Sequence, residues 1–215
     1  MKAIFPVLAL LIIVLASGCV SQDVRELQGV EIREYQGEQL SSIAEIRDLS
    51  IKGPQNIDIQ DYSLKVFGLV ESPRDYTYEE ALDRQRYSKV VALYCVTGWD
   101  TKTLWEGILI EDLLDEVGVS QEVDTVIFRA YDGYSTSLPL DFILDNDIML
   151  AYKVNNVTLT PSTGYPFILV AEQKWGYKWI KWVTEIELSD DPTFEGYWES
   201  RGYSNDGSIE QHYFD

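Results

Sequence analysis

The sequence predicts one α+β domain in which mixed β-sheets carry a few short helices. Many short runs are rich in β-branched and aromatic side chains, and most are bounded by Gly, Pro, Asn or Asp. The chain has no internal repeat and no Gly/Ser-rich linker that would divide it. With 215 residues and 46% hydrophobic content, it has enough apolar side chains for one substantial core.

The strands are predicted from apolar alternation and from β-branched runs that end at turn residues. Asn155 and Asn156 separate two of these runs and suit a tight hairpin, because asparagine tolerates positive φ. The predicted strands cover residues 62–68, 89–95, 104–109, 125–131, 134–138, 149–154, 157–159, 166–171 and 182–188.

Helices are predicted at fewer places. Thr77 and Glu80 have the spacing of a capping box, which starts a short helix through Leu82. A second helix is predicted over Ile110–Val117, with Gly118 as its end. Shorter helical segments are predicted at 42–49 and 139–144.

Charge and metal-ligand content exclude several classes of protein. The 36 acidic and 17 basic residues give a formal net charge of −19. Nucleic-acid binding is not expected, because phosphate contacts need clustered Lys and Arg. The two cysteines and one histidine are too few for a structural zinc site or an iron–sulfur cluster, which take about four such ligands. A transition metal here would receive most of its ligands from outside the protein.

The N-terminus is predicted to direct export. Lys2 precedes an apolar run over 3–16, whose length suits a signal peptide better than a membrane-spanning helix. Ser17 and Gly18 before Cys19 resemble a lipobox. Residues before Cys19 are therefore predicted to be a signal peptide, and Cys19 the lipidated first residue of the mature chain. An uncleaved membrane anchor is the alternative.

Either alternative predicts a protein held at the cell membrane with its domain on the extracytoplasmic face. Residues 1–18 are assigned to the signal peptide, 19–55 to a lipidated tether and domain edge, and 56–215 to the folded domain.

Cys95 ends a predicted buried strand and is followed by Thr97, Gly98 and Trp99. Functional side chains often lie where a rigid strand passes into a loop. A disulfide bond to Cys19 is not expected, so Cys95 is a lone thiol in an oxidising compartment. Two explanations stay open at this point, a small buried apolar side chain or a metal ligand.

Several motifs follow one another in a fixed order and spacing. They are Cys95-Val96-Thr97-Gly98-Trp99, Trp105-Glu106-Gly107-Ile108, Leu113-Leu114, Asp132-Gly133-Tyr134-Ser135-Thr136-Ser137-Leu138-Pro139-Leu140, Leu150-Ala151-Tyr152-Lys153-Val154-Asn155, Gly164-Tyr165-Pro166 and Gly176-Tyr177-Lys178-Trp179-Ile180-Lys181-Trp182. This series, which spans residues 57–198, resembles the oxidoreductase molybdopterin-binding domain, the catalytic domain of the sulfite oxidase family. The resemblance implies that type of fold and a molybdenum–molybdopterin cofactor.

The resemblance also implies roles for single residues. Cys95 lies where the family places the cysteine whose sulfur binds molybdenum, and the pterin's dithiolene would supply two more sulfurs. Tyr134 matches the family's active-site tyrosine, whose hydroxyl would hydrogen bond to a substrate oxygen or an oxo group. The implied cofactor-binding residues are Gly164, Gly176, Lys178 and Lys181, with Lys174 completing a positive cluster at the phosphate end.

The implied activity is oxygen-atom transfer to or from a small-molecule substrate. Because the chain has no second redox centre, electrons would pass to or from a separate electron-transfer partner.

The segment 163–168 departs from the family pattern, because it lacks the histidine and the arginine that help to hold the cofactor in sulfite oxidases. Arginines that surround the substrate anion also have no clear match, which argues against sulfite as the substrate. Two alternatives stay open. One is a family member that has lost catalysis; the other is a surface module that binds a ligand such as a polysaccharide through Trp175, Tyr177 and Trp179 on one strand face, with Trp182 nearby.

Overall fold

The computed structural model describes residues 30–214. The predicted signal peptide and Cys19 therefore lie outside the described residues. Within 30–214, no helix is long and apolar enough to cross a membrane.

Twelve strands and three short α-helices make up the described part of the chain, together with three 3₁₀ turns. The strands are β1 (Glu34–Tyr35), β2 (Glu38–Gln39), β3 (Leu64–Gly68), β4 (Arg74–Tyr76), β5 (Tyr87–Cys95), β6 (Trp99–Leu109), β7 (Thr125–Ala130), β8 (Ser135–Pro139), β9 (Met149–Val154), β10 (Val157–Thr158), β11 (Ile168–Val170) and β12 (Val183–Ser189). The helices are α1 (Tyr78–Leu82), α2 (Ile110–Val117) and α3 (Leu140–Asp145), and the 3₁₀ turns are Ile43–Glu45, Gly176–Lys178 and Glu199–Arg201.

The strands form two five-stranded sheets and one small hairpin. One sheet has the order β10-β9-β6-β5, with β11 also paired to β9, and all its pairs are antiparallel. The other has the order β4-β3-β12-β7-β8 and is mixed, because β12 runs parallel to β3 and antiparallel to β7. The predicted α+β class with mixed sheets is confirmed.

One hydrophobic cluster includes side chains from both five-stranded sheets. Trp105 of the first sheet and Phe128 of the second are fully buried. Helix α2 adds its apolar face, and burial of each large side chain of this kind stabilises the fold by about 1.5–3 kcal/mol. The core thus fixes the ends of β5, β6 and β7 relative to one another.

The helix signals in the sequence work as predicted. Thr77 and Glu80 exchange the two hydrogen bonds of a capping box at the start of α1. Helix α2 ends at Gly118, which has a φ of 68° that residues other than glycine rarely adopt.

Strand β6 begins at Trp99 instead of the predicted residue 104. The cause is Gly98, whose N–H donates to the Cys95 carbonyl at 3.0 Å, so that β6 pairs with β5 from its first residue.

The segment 175–179 is not a strand, and the predicted aromatic surface is wrong. Gly176–Lys178 forms a 3₁₀ turn, because Gly176 packs directly against the backbone of β5. Trp179 and Trp182 are buried in the domain instead of standing on an exposed face. The structure therefore offers no stacking platform of the kind that the alternation suggested.

Residues 30–50, which we call the N-terminal strap, lie against the domain instead of leading away from it. The Ile32 N–H donates to the Asn155 carbonyl at 3.0 Å. The fully buried Asn155 side chain accepts from Leu104 N–H and donates to the Ser41 carbonyl, each at 2.9 Å. The helix predicted at 42–49 is only the turn Ile43–Glu45, after which the chain continues in extended form.

Candidate active site

A cleft of about 530 Å³ opens where several elements end beside β5. Its walls come from the end of β5, the β7–β8 turn, the 176–182 segment, strap residues 46–50 and the C-terminal region. This volume lies in the range typical of small-molecule and cofactor sites, about 300–1,000 Å³.

Cys95 lines this cleft at the last position of β5. Its side chain is partly exposed, and its Sγ lies 3.1 Å from the Thr97 hydroxyl oxygen. Gly98 has a φ of 85° and turns the chain straight back into β6. The thiol is thus held at a rigid strand end and remains accessible, as a metal ligand must be.

Gly176 lies beside Cys95, and its contact with the cofactor stays a prediction. A Cβ at this position would be 3.2 Å from the Tyr94 carbonyl oxygen and 3.7 Å from the Cys95 Cα. Trp175 and Tyr94 form a parallel β-bridge next to this contact. The absence of a side chain at Gly176 allows the two backbones to approach this closely.

Tyr134 follows the tight turn between β7 and β8, where its N–H donates to the Asp132 carboxylate at 2.9 Å. The side chain lines the cleft, and its hydroxyl donates to the Tyr177 carbonyl at 2.5 Å. Burial, followed by the negative charge of Glu199, raises the pKa of Tyr134 well above its ordinary value. The phenol is therefore a neutral hydrogen-bond donor at physiological pH.

Lys181 also lines the cleft, but its ammonium group is already paired. Its Nζ lies 2.9 Å from the Asp48 carboxylate and 2.6 Å from the Ser162 carbonyl oxygen. Burial lowers the pKa of Lys181, and Asp48 opposes that shift. Burial alone would raise the pKa of Asp48, but Lys181 and Ser50 outweigh it and the pKa is lowered. The salt bridge between these two side chains clamps the strap to the cleft wall.

Lys178 lies outside the cleft lining and is fully buried. Its Nζ forms a salt bridge of 2.7 Å with Glu199 and donates to the Ser137 carbonyl at 3.1 Å. Lys174 pairs in the same way with Asp206 at 2.6 Å. The three lysines thus do not form the free positive cluster expected from the sequence, because each has a carboxylate partner. Their assignment to the cofactor stays a prediction.

Gly164 lies behind Lys181 instead of on the cleft surface. Its φ is 110°, and a Cβ there would lie 3.2 Å from Lys181 Cγ and 3.1 Å from Ile168 Cβ. Gly164 therefore leaves room for the lysine stem, and a direct contact of this glycine with the cofactor stays a prediction.

The sequence did not identify the cleft residues that come from the strap and from the C-terminal region. Arg47 lies with its guanidinium 5.9 Å from the centre of the Trp99 ring, so one arginine does reach the cleft. Trp198 and Tyr203 add two aromatic rings 5.2 Å apart. Neither segment has a periodic pattern, and both contact the site across long sequence separations, so no local signal marked them.

The residues present fit a metal–pterin cofactor. Within 30–214 no three His, Cys, Asp or Glu side chains are grouped to hold a metal ion. A metal at Cys95 would therefore need ligands from the cofactor, which a dithiolene provides, and a thiolate suits such a soft site. The cleft wall also contains an unpaired donor, because Trp99 Nε1–H has no acceptor among the described residues.

Comparison with known proteins identifies the family. Residues 51–198 match the model of the oxidoreductase molybdopterin binding domain. The chain is 34% identical over 151 residues to the uncharacterized oxidoreductase YuiH of Bacillus subtilis, a match that covers 70% of this chain and 76% of YuiH. It is 28% identical over 150 residues to an Azospira oryzae protein provisionally named protein-methionine-sulfoxide reductase subunit YedZ1, which covers 70% of this chain and 57% of that protein.

The crystal structure of the sulfane dehydrogenase SoxCD from Paracoccus pantotrophus is similar in fold, with a TM-score of 0.62 and 26% identity over 65% of this chain and 41% of that one. Nitrate reductase and sulfite oxidase are matched over 18% and 19% of their length, so the chain spans only a part of these relatives. The cofactor common to this group is molybdenum–molybdopterin. The chain belongs to the oxidoreductase molybdopterin-binding family.

Proposed function

We propose that this protein is a membrane-tethered, extracytoplasmic molybdenum–pterin oxidoreductase that moves an oxygen atom to or from a small molecule. The observation that carries the proposal is the accessible Cys95 thiol at a rigid strand end inside a cofactor-sized cleft. When bound, the cofactor supplies the two-electron chemistry, and the protein positions it and limits side reactions.

The residues around the thiol have separate tasks in this proposal. Cys95 binds the metal, and the neutral Tyr134 hydroxyl provides a hydrogen bond to a substrate oxygen once it is released from Tyr177. Trp99, Trp179 and the rings of the C-terminal region line the cleft and exclude water from it. In the oxidising direction, substrate and water give the oxygenated product, two protons and two electrons.

We infer that the substrate presents an oxygen or an anionic group to Arg47. Among the described residues Arg47 has no carboxylate partner within salt-bridge distance, whereas Lys181 on the same cleft is neutralised by Asp48. The names of two relatives refer to methionine sulfoxide and to sulfane sulfur, which supports a sulfur compound as the substrate. One of these relatives is named as a subunit, which supports electron exchange with a separate partner protein.

Turnover with artificial electron carriers tests the reaction. Methionine sulfoxide would be assayed with a reduced viologen dye and sulfite with ferricyanide, using wild type and Cys95→Ser. We expect activity on a sulfoxide that Cys95→Ser abolishes in a folded protein, as circular dichroism would verify. Unchanged turnover in the variant would contradict the role of Cys95.

The location is tested with the full-length chain in a host that lipidates exported proteins. Wild type is expected in the membrane fraction with incorporated labelled palmitate. Cys19→Ser should carry no label, whether its apolar segment remains attached or is removed. Labelling of the variant would contradict lipidation at Cys19.

A further inference from the structure

A second cavity, of about 630 Å³, opens where β8 passes into α3, and we call it the β8–α3 cavity. Its walls come from the start of β7, the end of β8, helix α3, the loop after β12 and residues 205–206. No described residue lines both this cavity and the cleft beside Cys95. Its volume suits a small molecule, because sites for such ligands measure about 300–1,000 Å³.

Part of the wall of the β8–α3 cavity is apolar. Val123 and Leu138 are buried there, whereas Leu144 is 40% exposed. Pro139 and Pro192 extend the same apolar wall. A ligand with an apolar body would cover these side chains, and the removal of apolar surface from water favours binding.

The charged groups of this cavity are all acidic. Asp124, Asp141 and Asp206 line it, and among the described residues its lining includes no Lys, Arg or His. Asp206 pairs with Lys174 at 2.6 Å, whereas Asp124 and Asp141 have no salt-bridge partner within residues 30–214. A concave surface with charges of one sign concentrates ions of the opposite sign, so the cavity favours a cation.

Asn205 adds an unsatisfied acceptor to this cavity. Its Oδ1 is shielded from solvent and has no hydrogen-bond donor among the described residues. The carbonyl of the preceding Ser204 does have one, since it accepts from the Tyr177 hydroxyl at 2.8 Å. A buried acceptor that lacks a donor lowers stability. Because Asn205 lines the cavity, an N–H group of a ligand can provide the missing donor.

We propose that the β8–α3 cavity binds a small organic cation, in which an ammonium, guanidinium or amidinium group is attached to an apolar body. The cationic group pairs with Asp124 and Asp141 and donates to Asn205, and the apolar body packs on Leu144. The volume favours a small molecule over a protein partner, since specific protein interfaces bury more than about 1,000 Å² of surface. This site is separate from the proposed reaction and does not depend on it.

Three probes of nearly equal shape test the requirement for positive charge. Benzamidine, benzamide and benzoate share one aromatic ring and are positive, neutral and negative, respectively. Each would be titrated into full-length protein from a host that makes the cofactor, and its affinity would be measured by ligand-observed NMR. We expect benzamidine to bind about fivefold more tightly than benzamide, and benzoate to show no binding. Benzoate or benzamide binding as tightly as benzamidine would overturn the proposal.

Substitutions in the cavity locate the probe. Asp124→Asn and Asp141→Asn should each weaken benzamidine binding about two- to fivefold, the change typical of one exposed ion pair. Asn205→Leu should weaken it about fivefold, as the loss of one hydrogen bond does. The Tm of the probe-free Asn205→Leu protein should stay equal or rise, because leucine removes an unpaired oxygen at similar volume. Asp48→Asn is the matched control, since it neutralises a carboxylate of the cleft and should leave benzamidine affinity unchanged.

The outcomes distinguish this site from the active site. Wild-type benzamidine affinity in all three cavity variants would overturn the proposal, and so would a loss confined to Asp48→Asn, which would place the probe in the cleft. A lowered Tm of probe-free Asn205→Leu would assign the Asn205 oxygen to buried water and overturn its role. Protein that contains neither molybdenum nor pterin but binds benzamidine as expected would contradict the proposed function and support this site.

Discussion

The surroundings of Tyr134 keep its phenol neutral and its hydroxyl in a hydrogen bond. Its hydroxyl contacts a backbone carbonyl, and burial keeps the phenol protonated. Cys95 differs, because the turn at Gly98 leaves its thiol partly open to the cleft. The Tyr134 hydroxyl is therefore already engaged by a backbone carbonyl, whereas the Cys95 thiol contacts only the Thr97 hydroxyl and is open to the cleft.

Replacing Tyr134 with Phe removes its hydrogen bond to Tyr177, which should lower the free energy of unfolding by about 0.5–1.5 kcal/mol. Because the pKa of Tyr134 is raised above its ordinary 10.0, its contribution is complete below pH 10 and is lost as pH rises beyond that value. Denaturant titrations at pH 8 and above pH 10 should show the wild type losing more stability than Tyr134→Phe. Tyr197→Phe, whose ring packs on Tyr134 at 5.6 Å, is the control; an equal loss in both variants would contradict this role for Tyr134.

The buried pair Lys178–Glu199 is expected to be costly to break. Glu199→Gln leaves the Lys178 ammonium without its counter-ion, so it should destabilise the protein by about 3–5 kcal/mol at pH 7. Replacing both, as Lys178→Met with Glu199→Gln, should recover most of that loss. Glu38→Gln breaks the exposed pair with Lys102 and should cost less than about 1 kcal/mol.

The contribution of Lys178 to the free energy of unfolding changes with pH in a defined direction. Burial, partly opposed by Glu199, lowers the pKa of Lys178 below 10.5, so the unfolded chain binds this proton more tightly than the folded one. Stability attributable to Lys178 therefore rises as pH approaches 10.5. The deficit of Glu199→Gln should shrink over that range, and a deficit that grows with pH would contradict this account.

At the scale of elements, the N-terminal strap is the main addition to what sequence patterns predicted. Its contacts at Asn155 and at Lys181 bring residues 46–50 to the cleft. The strap therefore forms part of the cleft wall, whereas the sequence predicted only a tether and domain edge over 19–55.

Asp48→Asn should release this end of the strap. The variant loses the salt bridge to Lys181, and hydrogen exchange of the amides over 46–50 should become faster while exchange in β6 stays unchanged. Asp48 has a lowered pKa, so the clamp is complete above pH 3.8 and weakens as pH falls below it. Asp58→Asn, which alters an exposed turn, is the control; protection of 46–50 that equals wild type would contradict the clamp.

The sequence predicted strands and helices correctly where the residues that determine an element are close together in the chain. The capping box of α1 and the glycine end of α2 depend on residues within one turn, and both appear as predicted. The alternation over 175–179 gave the wrong element, because close packing of Gly176 on β5 overrides the pattern. The site was predicted only in part for the same reason, since Arg47, Trp198 and Tyr203 reach it through tertiary contacts.

At the scale of the whole molecule, the chain has a net charge of −19. Among the described residues that line the cleft, Arg47 is the basic side chain without a salt-bridge partner. Carboxylates elsewhere in the chain pair with Lys178 and Lys181, which the resemblance assigned to the cofactor, and with Lys174 of the same predicted positive cluster. The family is nevertheless evident from the order of motifs along residues 51–198. We therefore expect cofactor binding in this chain to depend on Cys95 and the walls of the cleft more than on a positive surface.

The most direct measurement is the molybdenum and pterin content per chain of protein purified from a host that makes the cofactor, with Cys95→Ser prepared in parallel. We expect about one molybdenum and one pterin per wild-type chain, with metal content reduced in the variant while the pterin is partly retained through contacts other than the thiol. Folded wild-type protein that contains neither molybdenum nor pterin would contradict it.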